Sequence, residues 1–197
     1  MKNEELYGLV LAGGRSSRMG KDKGLIDYYG KPQREHLFDL LSEFCGRVFT
    51  SCKLEQAIPA SLNPIHDKFD IESPLNGILS AIEKYGEKAW LTIAVDMPFV
   101  NKDVMRFIIS NRDKSRMATC FYDSEGKLPE PLLTIWEPST LQLLEKFTAV
   151  GGTSPREFLI ANDCKKLIYP DSKIHINVNT PTELGAMQRK STDRPVF

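Results

Sequence analysis

At 197 residues, with 41% hydrophobic and 26% charged positions, the chain has an ordinary globular composition and enough material for the core of one α/β domain. Lys plus Arg and Asp plus Glu are both 26, so the formal net charge is zero; no global basic field favours nucleic acid, and any anion site is local. No apolar run approaches the ~20 residues of a membrane span, the opening MKNEEL lacks an apolar signal region, and Cys45, Cys52, Cys120 and Cys164 show no C-x-x-C spacing, which points to a cytoplasmic protein with reduced thiols and no zinc or membrane role.

The apolar run Leu6–Ala12, broken by Gly8, reads as a buried parallel strand entering a tight turn at Gly13 and Gly14. Glycines let backbone N–H groups approach an anion closely. Arg15, Arg18 and Lys23 follow, cations enough for several phosphate oxygens. A strand feeding such a loop is a phosphate cradle; a Gly-rich turn with a solvated basic face is the alternative. Neither G-x-x-x-x-G-K-[ST] nor G-x-G-x-x-G is met.

Further along, Gln33–Phe44 carries Leu37, Leu40, Leu41 and Phe44 at helical spacing, with Gly46 at the expected C-cap. Arg47–Cys52 reads as a second strand, and 61–66 holds a short third one ending at Asp67. Ser73-Pro74 opens a helix over Ile78–Tyr85, closed by Gly86. Ala89–Val95 is the most strand-like run and delivers Asp96-Met97-Pro98 at its carboxyl end; Asn101 then caps a helix over Lys102–Ser110. Alternating strands and helices predict a parallel sheet with right-handed crossovers.

The second half is mixed. Met117–Tyr122 and Pro131–Trp136 read as an antiparallel pair around Asp123–Gly126, and Glu137–Phe147 as a helix. Ser154-Pro155-Arg156-Glu157 is a capping box opening a helix over Pro155–Ala161. Leu167–Tyr169 and Ile174–Val178 read as short strands. Thr180–Glu183 starts a last helix to Arg189, with a frayed tail over 190–197.

Ligands of open α/β sheets bind beyond the carboxyl ends of strands, where the Gly13–Lys23 loop, Asp67 and Asp96 all fall. A carboxylate at Asp96 suits Mg²⁺ held against phosphate oxygens; a turn-forming Asp before a proline is the alternative. Asp67 has Asp70 and Glu72 as neighbouring rivals. His36, His66 and His175 show no catalytic or metal spacing, and no Ser or Cys is paired with a base.

LAGGRSSRMGKDKG resembles the nucleotide-binding signature of the nucleotidyltransferase family, and within it the molybdenum cofactor guanylyltransferases. VDMPFV, the Asp67 to Gly77 stretch and HINVNTPTEL match further motifs of that family in order, so the likeness runs from Leu6 to about Gln188. It implies a Rossmann-like fold, a mostly parallel twisted sheet between helices. Implied too are Mg²⁺ on Asp96 and transfer of GMP from GTP to the terminal phosphate of molybdopterin or the molybdenum cofactor. Leu11, Ala12, Gly13, Gly14, Lys23, Ser51, Asp67 and Asp96 would bind the nucleotide. Arg18, Lys23 and Asp96 would act catalytically, with Asn177 and Asn179 on the acceptor and phosphate side. Ser51 stands where family members often place an Asn near the base. Partners implied are GTP, the pterin, and cofactor-delivery or acceptor proteins. A cytidylyltransferase on the same pterin, another small-metabolite nucleotidyltransferase and a non-catalytic nucleotide-binding regulator are the alternatives; Gly13, against an alanine in the cytidylyl branch, favours guanylyl transfer.

Overall fold

The computed structural model describes residues 2–13 and 22–176. Seven strands form one sheet in the order β3-β2-β1-β4-β6-β5-β7. They are β1 (Asn3–Leu11), β2 (Cys45–Cys52), β3 (Pro64–His66), β4 (Ala89–Ala94), β5 (Ala118–Tyr122), β6 (Pro129–Trp136) and β7 (Cys164–Leu167). The helices are α1 (Gln33–Ser42), α2 (Leu75–Lys84), α3 (Lys102–Ser110), α4 (Thr140–Ala149) and α5 (Pro155–Ala161). The pairs β1/β2, β1/β4, β2/β3 and β5/β7 are parallel, while β6 runs antiparallel to β4 and β5. The expected mostly parallel α/β sheet is therefore present, with its reversed strand in the second half.

The central strands are apolar because both their faces are covered. All six residues of β4 are buried, and so is Val10 of β1 beside Ile93. No period-2 alternation survives in such a strand, which is why AWLTIA reads as a continuous apolar run. Local caps hold where the sequence puts them. Asn101 accepts hydrogen bonds from the N–H groups of Asp103 (2.9 Å) and Val104 (3.2 Å), and Ser154 accepts from Glu157 N at 3.2 Å.

Several expected boundaries move. Gly46 is not a helix cap but lies inside β2, because α1 ends at Ser42; a Cβ on Gly46 would stand 2.9 Å from the Glu4 Cα, so the glycine permits close approach to β1. Helix α2 begins at Leu75, three residues early, with Ser73 Oγ accepting from Leu75 N at 3.1 Å. Helix α4 starts only after Pro138, since Glu137 is taken by Arg112: Nε and Nη2 of the arginine each donate to the carboxylate at 2.6 Å. The last described strand is Cys164–Leu167 rather than Leu167–Tyr169, set by its register against β5 (Ala118 opposite Cys164). Ser172–His175 is a 3-10 turn capped by Asp171, not the start of a strand. The rest of that expected strand, the Thr180–Glu183 helix start and the tail lie outside the described residues.

On the β1 side the chain leaves for β2 and β3, then returns to place β4 on the other flank of β1. That reversal is the switch point at which open α/β sheets leave a crevice. The ladder continues a little beyond the strands: Ala12 N donates to Ser51 O at 3.1 Å and Val95 N to Leu11 O at 3.3 Å. The root of the glycine loop is thus flanked by Ser51 on one side and Asp96 on the other.

Candidate functional site

Beyond the carboxyl ends of β1, β2 and β3 lies a cavity of about 530 Å³. Gly13, Ser51, Asp67 and Gly77 form its polar end, and Phe69 and Ile71 give it an apolar wall. Ser51 Oγ donates to Asp67 Oδ1 at 3.4 Å, while Asp67 N donates to Cys52 O at 2.9 Å and so continues the β2/β3 ladder. Burial raises the Asp67 carboxyl above its ordinary range, and the Ser51 hydroxyl opposes this in part. Two further donors reaching a half-buried carboxylate of this kind would favour its charged form.

Two glycines shape this end differently. A Cβ on Gly77 would fall 1.9 Å from Ser51 Oγ and 2.9 Å from Ser51 Cβ, so the first turn of α2 can lie against β2 only with glycine there. A Cβ on Gly13 would meet Asp67 Oδ2 at 3.6 Å, an ordinary contact, and would otherwise project toward the cavity that Gly13 lines. Asn76, between Leu75 and Gly77, is buried and builds the wall. It accepts from the N–H groups of Lys68 and Phe69, both at 3.1 Å, and donates to the carbonyls of Phe69 and Ile71.

On the other flank of β1, Asp96 follows β4 and meets Lys23, with Nζ 3.6 Å from Oδ2 and both side chains partly exposed (27% and 20%). Asp96 Oδ1 is buried and has no hydrogen-bond partner among the described residues. A carboxylate oxygen left without donors is chemically suited to a cation. No group of three or more His, Cys, Asp and Glu gathers among the described residues. A metal on Asp96 would therefore complete its shell with phosphate oxygens and water, as magnesium commonly does. The Asp96 loop is tied to the segment after Lys23 by Tyr29, whose hydroxyl donates to Pro98 O at 2.7 Å.

Glu130 escaped the sequence reading. It sits between Pro129 and Pro131 in β6, where the β5 register jumps from Cys120 opposite Thr134 to Phe121 opposite Glu130. Its side chain accepts from Leu132 N at 2.9 Å and Arg156 Nη2 at 3.3 Å. Burial raises its carboxyl, and the charge of Asp96 adds to the rise, so the two acids share one electrostatic neighbourhood. An acid flanked by two prolines in a strand was the available signal.

The structure thus brings Leu11, Gly13, Ser51 and Asp67 to one cavity, with Ala12 at the loop's root, and Lys23 and Asp96 to a contact beside it. Gly14, Arg18, Asn177 and Asn179 lie outside the described residues. None of His36, His66 and His175 lines the cavity. His36 stacks on Tyr29 with ring centroids 4.6 Å apart, and His66 Nδ1 lies 3.4 Å from Cys52 Sγ. That thiol is pushed up to about 11 by burial and by Asp67, which leaves it protonated and unsuited to nucleophilic work. All four cysteines are free and buried.

Residues 8–165 match the family model described as the MobA-like NTP transferase domain. The chain belongs to that family. A molybdenum cofactor biosynthesis bifunctional protein of Synechocystis sp. is 38% identical over 184 residues, which cover 91% of this chain and 53% of that protein. This chain thus spans about half the length of that relative. A probable molybdenum cofactor guanylyltransferase of Carboxydothermus hydrogenoformans is 28% identical over 88% of this chain and 90% of its own length. Among solved structures, the molybdopterin-guanine dinucleotide biosynthesis protein A of Archaeoglobus fulgidus superposes with a TM-score of 0.73 at 23% identity, covering 95% of this chain and 100% of its own. At that identity the superposition shows the fold. The family match spans the switch-point cavity and the Lys23–Asp96 contact.

Proposed function

We propose that this MobA-like chain transfers GMP from GTP to the terminal phosphate of molybdopterin or the molybdenum cofactor, with Mg²⁺, yielding the guanine dinucleotide form and pyrophosphate. The observation that carries the reading is the pairing of two half-sites across β1: a base-sized cavity ending in Asp67 and a Lys23–Asp96 contact on the opposite flank. Relatives named molybdenum cofactor guanylyltransferase, aligned over nearly the whole chain, support the choice of donor and acceptor.

Guanine offers two donors on one edge, N1–H and the 2-amino group. Asp67 has two carboxylate oxygens to receive them, with Ser51 steadying one. A buried acceptor left unpaired costs about 1–3 kcal/mol, so a base without both donors is disfavoured. Phe69 and Ile71 cover the faces of the ring. The triphosphate then runs past Gly13 and the glycine loop towards Lys23.

An oxygen of the acceptor's terminal phosphate attacks the α-phosphorus of GTP. The new P–O bond forms as the bond from the α-phosphorus to the oxygen bridging the α- and β-phosphates breaks, and pyrophosphate departs with that electron pair. Such transfer needs positioning and charge neutralisation more than covalent catalysis. Lys23 stabilises charge on the α-phosphoryl oxygens, and Asp96, with one oxygen unpartnered among the described residues, would hold the cation. Mg²⁺ bound there supplies further neutralisation of the triphosphate. Arg18, Asn177 and Asn179 join this reading through their sequence motifs alone. The reading also fits a reducing cytoplasm, given four free thiols, and no described helix is long and apolar enough to cross a membrane.

The test is a competition between GTP and CTP with molybdopterin and Mg²⁺, products identified by mass. The guanine dinucleotide should dominate, and Asp96→Asn should lose about 10²–10³ in turnover. Dominance of the cytidylyl product overturns the choice of base; normal turnover of Asp96→Asn moves the metal elsewhere.

A further inference from the structure

Asp22, the residue before Lys23, uses both its oxygens. Oδ1 accepts from Gly24 N at 2.9 Å, closing a turn around Lys23, and the backbone repeats the closure through Leu25 N to Asp22 O at 3.0 Å. Oδ2 accepts from Arg34 Nη1 on α1 at 3.0 Å and from Gln56 Nε2 at 3.0 Å. The same Gln56 nitrogen donates to Ala12 O at 3.2 Å, at the root of the glycine loop. Gln56 closes the turn that begins at Lys53, with Gln56 N donating to Lys53 O at 3.1 Å, and that turn gives Lys53, Leu54 and Glu55 to the cavity. Leu54 is 78% exposed at the rim, an apolar side chain without a packing role in the core.

The two oxygens of this one carboxylate therefore join the cavity wall to the backbone carrying Lys23. Its ion pair with Arg34 is almost fully buried on the arginine side, so the bonds are charge-assisted and little screened. We propose that Asp22 is a positioning residue which, through Gln56, couples occupancy of the base cavity to placement of Lys23 against the reacting phosphate. The proposal rests on the reading that the cavity takes the base and Lys23 the α-phosphoryl group. A base that fills the cavity settles the Lys53–Gln56 turn, and the Gln56–Asp22 bond carries that order to the turn around Lys23. Base choice is then expressed in kcat as well as in KM, because a misplacement of about 1 Å at a reacting centre can cost about 10²-fold.

A purely structural role for the same bonds predicts otherwise: a lower Tm and no change in how kcat depends on the base. The experiment compares the unmodified chain with Gln56→Met, which keeps the volume and removes both donated bonds. Asp22→Asn, which retains an acceptor for Gly24 N, serves as the second variant. Turnover is measured with GTP and with inosine triphosphate, which lacks the 2-amino group, at saturating acceptor. For the unmodified chain kcat should fall when GTP is replaced. In Gln56→Met, kcat with GTP should drop about 10-fold while KM moves less, and the kcat difference between the two nucleotides should vanish. An unchanged kcat in both variants overturns the proposal, as does a kcat ratio between nucleotides identical to that of the unmodified chain. The guanylyl reading fails separately, if the unmodified chain transfers nothing from GTP; the kcat loss in Gln56→Met is then read with the nucleotide it does transfer.

Discussion

Gly77 and Gly13 line the same cavity, yet only one of them is demanded by the protein itself. A methyl group on Gly77 would overlap Ser51, a buried strand residue that cannot retreat without moving β2 or turning its hydroxyl off Asp67. Gly77→Ala should therefore lower stability by about 1–3 kcal/mol, as overpacking does, and weaken nucleotide binding with it. Gly13→Ala should melt with the unmodified chain and raise KM for GTP more than for CTP, since its methyl group makes only an ordinary contact with Asp67 and otherwise stands where the ligand would lie. Thermal melts and steady-state kinetics on the pair separate the two effects.

Asp67 carries a stability cost with a defined sign. Its folded-state pKa lies above the ordinary value, chiefly through burial, so its contribution to stability is full below the ordinary carboxylate range and is lost as pH rises through the raised value. Asn at this position is neutral throughout. Asp67→Asn should gain Tm relative to the unmodified chain at neutral pH, with the gain shrinking on acidification, while GTP binding is lost. Melts at pH 4 and pH 7 with calorimetry of GTP binding check this; a gain independent of pH would assign the raised pKa to another group, with Glu130 the next candidate.

Among the elements, the capping signals were legible because each is local. Asn101 and Ser154 reach N–H groups two or three residues away, and α3 and α5 start where those residues stand. The start of α4 was misjudged because Glu137 is claimed from a distance, by an arginine 25 positions earlier in the chain. Arg112 and Glu137 are both nearly buried (7% and 4%) and join the end of α3 to the end of β6. Removing one partner leaves the other charge buried, so Glu137→Ala should cost about 3–5 kcal/mol, measurable by chemical denaturation. A double replacement by apolar residues of similar volume should recover much of that loss.

For the whole molecule, ligand and fold are linked by mass action. GTP at 100 times its Kd should stabilise the chain by about 2.7 kcal/mol, and the shift should shrink on chelation of divalent cations if Asp96 holds one. A Tm shift by GTP that is indifferent to chelator would place the cation outside the nucleotide complex. Such a melt also tests whether the cavity and the Lys23–Asp96 contact act on one ligand. The amino-acid order by itself determined the parallel half of the sheet, the end of β1 just before Gly13 and the acids after β3 and β4. It could do so because an apolar run ending in Gly-Gly or in Asp-x-Pro is written in adjacent residues, and the carboxyl end of a strand is a local property. Tertiary structure alone decided that Gly46 serves a strand contact, that Glu130 pairs with Arg156, and that Asp22, Arg34 and Gln56 share one carboxylate. Those facts depend on register and crossover between segments 12 or more residues apart, where no periodicity in the chain records which side chains will meet.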